Sequence, residues 1–338
     1  MKPEMSSSLD TSADDSDGAK PAFASQQLPR LASRELDFLS ELQTQPLLGS
    51  RSPELERARM REGQRAAFTE FAVVHQTFQT SSCPVHILRS REAVEPLPMT
   101  FYLHGGGWTL GDLTTHTKLV SELAIQSQSA VIFIDYPLAP EHRYPAPLEA
   151  CIQAIEEVLS QAPSLGLDRR RAGFIGDSSG GNLCMGYALL ARERKLWLPK
   201  TQVLLYPAVD ASLSLRSQTL FAENPNLGRY TMEWFWNNYA PDASTRKLPV
   251  VSPLAAPAEA FAGLPPTLIV SCEYDILRDE AEQLAARLVE AGVEVIAVRW
   301  LGALHGFVVN EALSSSMSAR ACIRFVAQHL ATVYSEQG

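Results

Sequence analysis

The sequence predicts an α/β protein in which a mostly parallel, eight-stranded sheet carries helices on both faces. From residue 71 onward, short apolar runs alternate with helical patterns, and this alternation is typical of strand–helix–strand units. The first two runs, 71–79 and 83–90, leave no room for a crossover helix between them, so we expect them to pair antiparallel. The later strand candidates are 99–104, 130–135, 172–177, 202–206, 267–273 and 293–299, and the helical patterns are 116–128, 148–161, 182–194 and 278–291.

Composition excludes several other classes of protein. The net charge of −9 and the lack of a Lys/Arg run argue against a nucleic-acid partner. No apolar run approaches the roughly 20 residues of a membrane-spanning helix, and the first residues lack a secretory signal. The five cysteines are scattered without a CxxC motif, so we expect neither a disulfide framework nor a metal site. These features favour a reduced, cytoplasmic protein.

Two parts of the chain do not follow the alternation of strands and helices. Residues 1–27 are rich in Ser and Asp, and we expect a disordered acidic tail there, followed by one domain over 28–338. Helical periodicity starts near Leu31, and Pro53 is typical of the first turn of a second helix. The interval after Tyr206 is far longer than a crossover and is rich in aromatic residues. We therefore predict a helical cap formed by about 28–65 and 207–250.

The strongest chemical signal is a G-x-S-x-G pattern formed by Gly176, Ser178 and Gly180. It follows a predicted strand and precedes a predicted helix, which is the context of a nucleophile elbow. A sharp turn there lifts the serine above the sheet, and the helix that follows directs its backbone N–H groups toward a developing anion. The alternative is an ordinary Ser/Gly-rich turn between a strand and a helix.

A second signal is HGGGW, residues 104–108, directly after another predicted strand. Consecutive glycines expose backbone N–H donors that side chains would otherwise obstruct. Such donors can form an oxyanion hole, in which each is worth about 2.7–4 kcal/mol of the activation barrier. A phosphate-binding loop is the alternative, but the chain has neither G-x-x-x-x-G-K-[ST] nor G-x-G-x-x-G with a following acid. The two motifs together predict a hydrolase.

Five motifs taken together resemble the hormone-sensitive-lipase-type esterases, which are bacterial lipase family IV of the α/β-hydrolase fold. They are HGGGW, DYPLAPEHRYPAP, GDSSGGNL, YDILRDE and LHGF, and the resemblance spans about residues 70–330. It implies the α/β-hydrolase fold with a cap, catalysis without a metal or cofactor, and a small-molecule ester as the substrate. A homodimer is left open.

The resemblance also implies roles for individual residues. It places the nucleophile at Ser178 and the oxyanion-hole donors at the N–H groups of Gly106, Gly107 and Ser179. Many relatives have Ala where this chain has Ser179, but the hole uses the backbone and should be preserved. Relatives also have Arg where this chain has Pro137, which removes an N–H and an ion pair, so packing near that residue should differ.

The acid and the base must follow the nucleophile along the chain in the order Ser, Asp/Glu, His. The resemblance assigns the acid to Asp275, while Glu273 is the alternative; Asp279 is better explained as a charge at a helix start. Among the histidines, the order leaves His305 and His329, and only His305 lies in a predicted loop. We therefore predict a Ser178–His305–Asp275 triad.

Other residues receive supporting roles. We expect His104 and Gly105 to hold the oxyanion loop, and Asp177 to be an exposed residue of structural importance. Three tryptophans are candidates for an acyl pocket, although packing within the cap explains the last two equally well: Trp108, Trp234 and Trp236.

The predicted function is therefore a serine carboxylesterase for short- to medium-chain acyl esters. An amide or N-acetyl deacylase with the same triad is the first alternative. A non-catalytic receptor is the second, since the gibberellin receptors resemble this family but lack the catalytic histidine, which His305 provides here.

Overall fold

The secondary structure follows the predicted alternation. The computed structural model describes residues 31–64 and 70–336, in which eight strands and twelve α-helices are found. The strands are β1 (Val73–Gln79), β2 (Pro84–Ser90), β3 (Leu97–Leu103), β4 (Ala130–Ile134), β5 (Leu167–Asp177), β6 (Gln202–Leu205), β7 (Thr267–Tyr274) and β8 (Val295–Leu304). The helices are α1 (Ser33–Gln43), α2 (Pro53–Glu62), α3 (Leu113–Ser127), α4 (Ala146–Gln161), α5 (Ser179–Arg194), α6 (Arg216–Leu220), α7 (Arg229–Tyr239), α8 (Ala243–Arg246), α9 (Ala258–Phe261), α10 (Arg278–Glu290), α11 (Glu311–Ser314) and α12 (Met317–Ser335).

All eight strands form one sheet in the order β1-β2-β4-β3-β5-β6-β7-β8. β2 is antiparallel to both β1 and β4, and every other neighbouring pair is parallel, so the predicted antiparallel start and the mostly parallel sheet are confirmed. The central strands β3 and β4 are buried along their whole length, as expected for parallel strands covered by helices on both faces. No helix in the described ranges is long and apolar enough to cross a membrane.

The parallel strands bring four loops to one edge of the sheet. β3, β5, β7 and β8 are parallel to one another, so their carboxyl ends lie together. The residues that follow them are His104, Ser178, Asp275 and His305. In open α/β sheets this edge is where ligands bind.

Two segments lie over this edge, and we call them the covering segments: the chain from α1 to α2, and α7 with the residues just before it. The loop after α1 contacts α7, where the Thr231 hydroxyl donates to the Leu48 carbonyl over 3.0 Å. Gly49 packs so closely on the Trp234 indole that a Cβ there would lie 2.8 Å from the ring. Residues 1–30 and 65–69 lie outside the described residues, and they include the predicted tail and both ends of the first predicted cap segment.

We expect a methyl group at Gly180 to destabilise the whole fold. The added Cβ would lie 1.9 Å from the Leu103 carbonyl oxygen, where α5 crosses the end of β3. Relieving such an overlap typically costs about 1–3 kcal/mol. Thermal unfolding of Gly180→Ala should therefore show a midpoint several degrees below that of the native chain.

Gly63→Ala is the matched control. Gly63 has a φ of −76°, and a Cβ there meets its nearest atom at 3.7 Å, so this variant should unfold at the native temperature. An unchanged midpoint for Gly180→Ala would contradict the close approach of α5 and β3.

Candidate active site

Ser178 lies on a strained turn between β5 and α5. Its backbone has φ +53° and ψ −119°, a conformation that side-chain-bearing residues rarely adopt. The Ser178 N–H donates to the Leu205 carbonyl over 2.8 Å, which anchors the turn to β6. The turn is also too crowded for side chains at its glycines, since a Cβ at Gly176 would lie 2.5 Å from the Gly180 backbone. These features present the serine hydroxyl above the sheet.

Ser178, His305 and Asp275 form a continuous chain of hydrogen bonds. His305 Nε2 lies 2.9 Å from Ser178 Oγ, and His305 Nδ1 lies 2.7 Å from Asp275 Oδ2. Asp275 is only 1% exposed, whereas His305 and Ser178 are partly exposed and face a cavity. The structure thus brings together the three side chains named as nucleophile, base and acid.

The two candidate acids at the carboxyl end of β7 lie in different environments. The second oxygen of Asp275, Oδ1, accepts from the Leu277 N–H over 2.9 Å, so the carboxylate is fixed while Oδ2 faces His305. Glu273 Oε2 instead accepts from the Gly302 N–H over 2.8 Å. Glu273 therefore connects β7 to β8, and it is Asp275 that contacts the histidine.

Two asparagines brace the loops that carry Asp275 and His305, and sequence reasoning missed both. Asn224 donates to the Tyr274 carbonyl over 3.2 Å, and Asn226 donates to the His305 carbonyl over 2.8 Å. The Asn226 N–H in turn donates to the Asn224 side chain over 3.0 Å, which makes the pair one rigid turn. The signal available in the sequence was an Asn-x-Asn spacing within a segment of uncertain structure.

The loop after β3 turns sharply through three residues with positive φ. These are Gly106 (+109°), Gly107 (+59°) and Trp108 (+57°). In the described part of the chain, the N–H groups of Gly106, Gly107 and Ser179 donate to no protein acceptor. Side chains would not fit this turn, because a Cβ at Gly107 would lie 2.0 Å from the Phe235 ring. The turn therefore presents unpaired backbone donors next to Ser178.

His104 holds this turn in place through a hydrogen bond and a ring contact. Its Nδ1–H donates to the Gly105 carbonyl over 2.8 Å, and its ring stacks on Tyr136 at a centroid distance of 4.1 Å. Burial, reinforced by the neighbouring His116, lowers the pKa of His104 to about 4, so the imidazole is neutral near neutral pH. Tyr136 completes the support by donating its hydroxyl hydrogen to the His104 carbonyl over 2.7 Å.

Asp177 is buried, which corrects the expectation of an exposed residue. It is 4% exposed, and its Oδ1 accepts from the Gly105 N–H over 2.9 Å and from the Tyr102 hydroxyl over 2.7 Å. Ser179, on the other side of Ser178, accepts from the Trp108 N–H over 3.1 Å. Both neighbours of Ser178 thus bind the loop after β3.

A cavity of about 480 Å³ opens beside Ser178 and His305. This volume falls in the usual range for small-molecule sites. Its apolar wall comes from both covering segments and from the loop after β3, and includes Leu42, Leu48, Met60, Leu110, Leu227 and Phe235. The cavity therefore suits a small substrate with an apolar portion.

The three tryptophans do not line this cavity, which corrects the expectation of an indole-lined acyl pocket. Trp108 and Trp236 are fully buried, and Trp108 stacks on Tyr239 with ring centroids 4.4 Å apart. Trp234 packs on Gly49 outside the cavity wall. The aromatic ring of α7 that faces the cavity belongs to Phe235.

Arg57, on α2, binds the loops that follow β3 and β4. Its guanidinium donates to the Thr109 and Ala139 carbonyls, each over 2.8 Å, and forms a bidentate pair with Glu141 at 2.7 and 2.8 Å. Thr109 belongs to the loop that carries the exposed N–H donors. A side chain of the covering segment therefore helps to hold that loop.

Comparison with known proteins identifies the family. A family model described as alpha/beta hydrolase fold matches residues 100–309. The chain belongs to the α/β-hydrolase family. Carboxylesterase NlhH of Mycobacterium tuberculosis is 37% identical to this hydrolase over 245 residues, which are 72% of this chain and 76% of NlhH. An ethyl acetate hydrolase of Pseudomonas putida is 36% identical over 61% of this chain and 65% of its own length.

A solved structure agrees with this assignment. The crystal structure of a thermostable esterase from Pseudomonas putida ECU1011 matches this hydrolase with a TM-score of 0.87 and 32% identity. The match covers 91% of this chain and 99% of the esterase. The resemblance to the hormone-sensitive-lipase-type esterases and the predicted fold class are thereby confirmed.

The partner of His305 can be identified without an activity assay. A short Nδ1–H···carboxylate contact strongly deshields its proton, so ¹H NMR of this hydrolase should show a low-field His305 resonance. Asp275→Asn should shift it markedly upfield, and His305→Gln should abolish it. Glu273→Gln is the matched control and should retain the resonance, because Glu273 bonds to Gly302. The reverse result would assign the acid to Glu273.

Proposed function

We propose that this hydrolase is a serine carboxylesterase that acts on short- to medium-chain acyl esters. The observation that carries the proposal is the hydrogen-bonded chain Ser178–His305–Asp275 beside the unpaired N–H donors of Gly106, Gly107 and Ser179. Nucleophile, base, acid and oxyanion donors are the parts that acyl transfer to serine requires. The carboxylesterase and the ethyl acetate hydrolase among its relatives support an ester as the substrate.

The proposed mechanism uses the same groups in both half-reactions. His305 Nε2 takes the Ser178 proton as the hydroxyl attacks the ester carbonyl, and Asp275 stabilises the resulting imidazolium. The N–H groups at Gly106, Gly107 and Ser179 bind the oxyanion of the tetrahedral intermediate. His305 then protonates the leaving alcohol, which leaves an acyl group on Ser178. Water, deprotonated by His305, attacks this acyl-enzyme to give a second tetrahedral intermediate, and His305 then returns the proton to Ser178 as the carboxylic acid leaves.

We propose that residues 28–65 and 207–250 form the cap over this site. Two observations support this assignment for the described residues: both segments contribute to the cavity wall, and α7 is hydrogen-bonded to the loop after α1. The Phe235 ring lies over Gly107, so it limits the space next to the proposed oxyanion hole. This limit and the modest cavity volume favour short acyl chains.

Substitution of the triad tests the proposed mechanism. Ser178→Ala, His305→Ala and Asp275→Asn should each lower kcat on p-nitrophenyl acetate by roughly 10⁴-fold or more, because the three side chains act as a unit. Far-ultraviolet circular dichroism should remain native. His329→Gln is the histidine control and should keep full turnover, since His329, on α12, bonds to Thr201 away from the cavity.

A panel of matched p-nitrophenyl esters and p-nitroanilides tests the substrate class. Ester turnover should exceed anilide turnover at every chain length, and kcat/KM should peak at roughly C2–C8, because transfer of further methylenes stops being favourable where the cavity ends. Faster anilide hydrolysis would favour the deacylase alternative. Efficient hydrolysis of long-chain triglycerides would contradict the short-acyl proposal.

Phe235→Ala should move the optimum toward longer acyl chains. Removing the ring enlarges the cavity beside Gly107, and each additional buried methylene is worth about 0.8 kcal/mol, which is roughly fourfold in kcat/KM. The readout is the shape of the chain-length profile rather than its height. Trp236→Phe is the control: its ring is buried outside the cavity, so it should lower stability and leave the profile unchanged.

A further inference from the structure

Asp177 joins the segment that carries the proposed nucleophile to the segment that carries the proposed oxyanion donors. Its Oδ1 accepts from the Gly105 N–H over 2.9 Å and from the Tyr102 hydroxyl over 2.7 Å. Asp177 directly precedes Ser178, and Gly105 directly precedes Gly106. One carboxylate oxygen therefore sets the position of the glycine turn relative to the serine.

The same carboxylate lies where a negative charge would oppose the reaction. Asp177 is 4% exposed and borders the same cavity as Ser178 and Gly106. An oxyanion bound at Gly106 would be repelled by an uncompensated carboxylate, and repulsion is stronger in a buried site than in water. An ionised Asp177 is therefore compatible with the proposed hole only if a positive charge accompanies it.

His116, on α3, is placed to supply that charge. Within the described ranges, the ion pair of Asp177 is formed with His116, whose Nε2 lies 3.5 Å from Oδ1. Burial by itself would raise the pKa of Asp177, but His116 and the Tyr102 hydrogen bond outweigh it and hold that pKa below its ordinary value. His104, the other nearby imidazole, is neutral because burial lowers its pKa to about 4.

The other titratable groups that face Asp177 carry no compensating charge. They come from β3, from the loop after β4, from the residue after β6 and from α5, and they are Tyr102, Tyr136, Tyr206 and Cys184. Burial raises the pKa of each of these groups above its ordinary value, so all four are neutral near neutral pH. Charge balance at Asp177 therefore depends on His116.

Contacts with Thr115 and Asp112 fix the orientation of the His116 ring. The Thr115 hydroxyl has one hydrogen, which it donates to the Asp112 carbonyl over 2.8 Å, and it accepts from the Asp112 N–H over 3.0 Å. His116 Nδ1 lies 2.8 Å from the same hydroxyl oxygen and 3.2 Å from the Asp112 carbonyl oxygen. These contacts fix the ring with Nε2 directed at the Asp177 carboxylate, 3.5 Å away, and among the described residues Nε2 has no hydrogen-bond partner.

We propose that Asp177 and His116 are a positioning ion pair for the oxyanion hole of this enzyme. Asp177 holds the glycine turn in register with Ser178, and His116 neutralises Asp177 so that the carboxylate does not oppose the oxyanion. The inference rests on the proposed esterase function. Both are positioning residues, because they act through Gly105 and through charge rather than on the reacting atoms.

Three variants test the pair: Asp177→Asn, His116→Gln and the double substitution. Each single variant should lower kcat on p-nitrophenyl acetate by about 10-fold or more, somewhat less than the loss of an oxyanion donor, while KM changes less than about threefold. The double variant should be no slower than the slower single variant, because the two residues act as a unit. The controls are Asp168→Asn at the opposite end of β5, and His329→Gln.

Two further measurements separate positioning from a merely structural role. Titration of reactive Ser178 with an organophosphonate gives kcat per competent site, so a partly unfolded variant is not mistaken for a slow one. An aryl trifluoromethyl ketone forms a tetrahedral adduct with Ser178 whose oxyanion occupies the hole. Its inhibition constant should rise by the factor by which kcat falls, whereas a structural role would lower the melting temperature and leave both values per site unchanged.

The outcomes that overturn the proposal are distinct from those that overturn the function. Per-site kcat and ketone inhibition within twofold of native values in both single variants would refute the pair, as would losses that multiply in the double variant. If Asp177→Asn does not fold, His116→Gln decides alone. A native chain that hydrolyses no ester would instead refute the proposed function, and the ketone would still report on the pair through its adduct with Ser178.

Discussion

The close crossing of α5 over the carboxyl end of β3 is the constraint on which the rest of the site depends. Gly180 touches the Leu103 carbonyl with no room for a side chain, and this contact brings the strained turn at Ser178 against the loop that follows β3. The hydrogen bonds from Gly105 to Asp177 and from Trp108 to Ser179 form only because these two segments of the chain are this close. Packing of backbone on backbone thus comes first, and the polar contacts of the site follow from it.

The sequence predicted those parts of the molecule that depend on local pattern and chain order. Alternating apolar and helical runs were sufficient for the sheet, and the glycines around Ser178 and after His104 marked the two sharp turns. Pattern alone did not separate Asp275 from Glu273, because both lie at the carboxyl end of β7. The structure separates them through the irregular pairing of β7 with β8 between Cys272 and Tyr274, which leaves Asp275 Oδ2 facing His305.

Features that depend on helix rotation or on distant contacts could not be read from the sequence. Neighbouring residues on a helix point about 100° apart, so in α7 the ring facing the cavity is that of Phe235, while Trp236 turns into the core. Asp177 was expected to be exposed because no local signal reveals that Tyr102 and Gly105 surround it. Asn226 likewise acquires a role only when the fold brings it against His305.

The brace formed by Arg57 has a consequence for how this enzyme can vary. Its guanidinium reaches Thr109 and Ala139 through their backbone carbonyls, which every amino acid possesses. Replacement of those two side chains would therefore leave the acceptors in place, whatever else it changed. Position 57 has no such freedom, since a lysine ammonium lacks the planar fork needed to reach two carbonyls and pair with Glu141 at once. Sequence drift is thus tolerated at one end of the contact and restricted at the other.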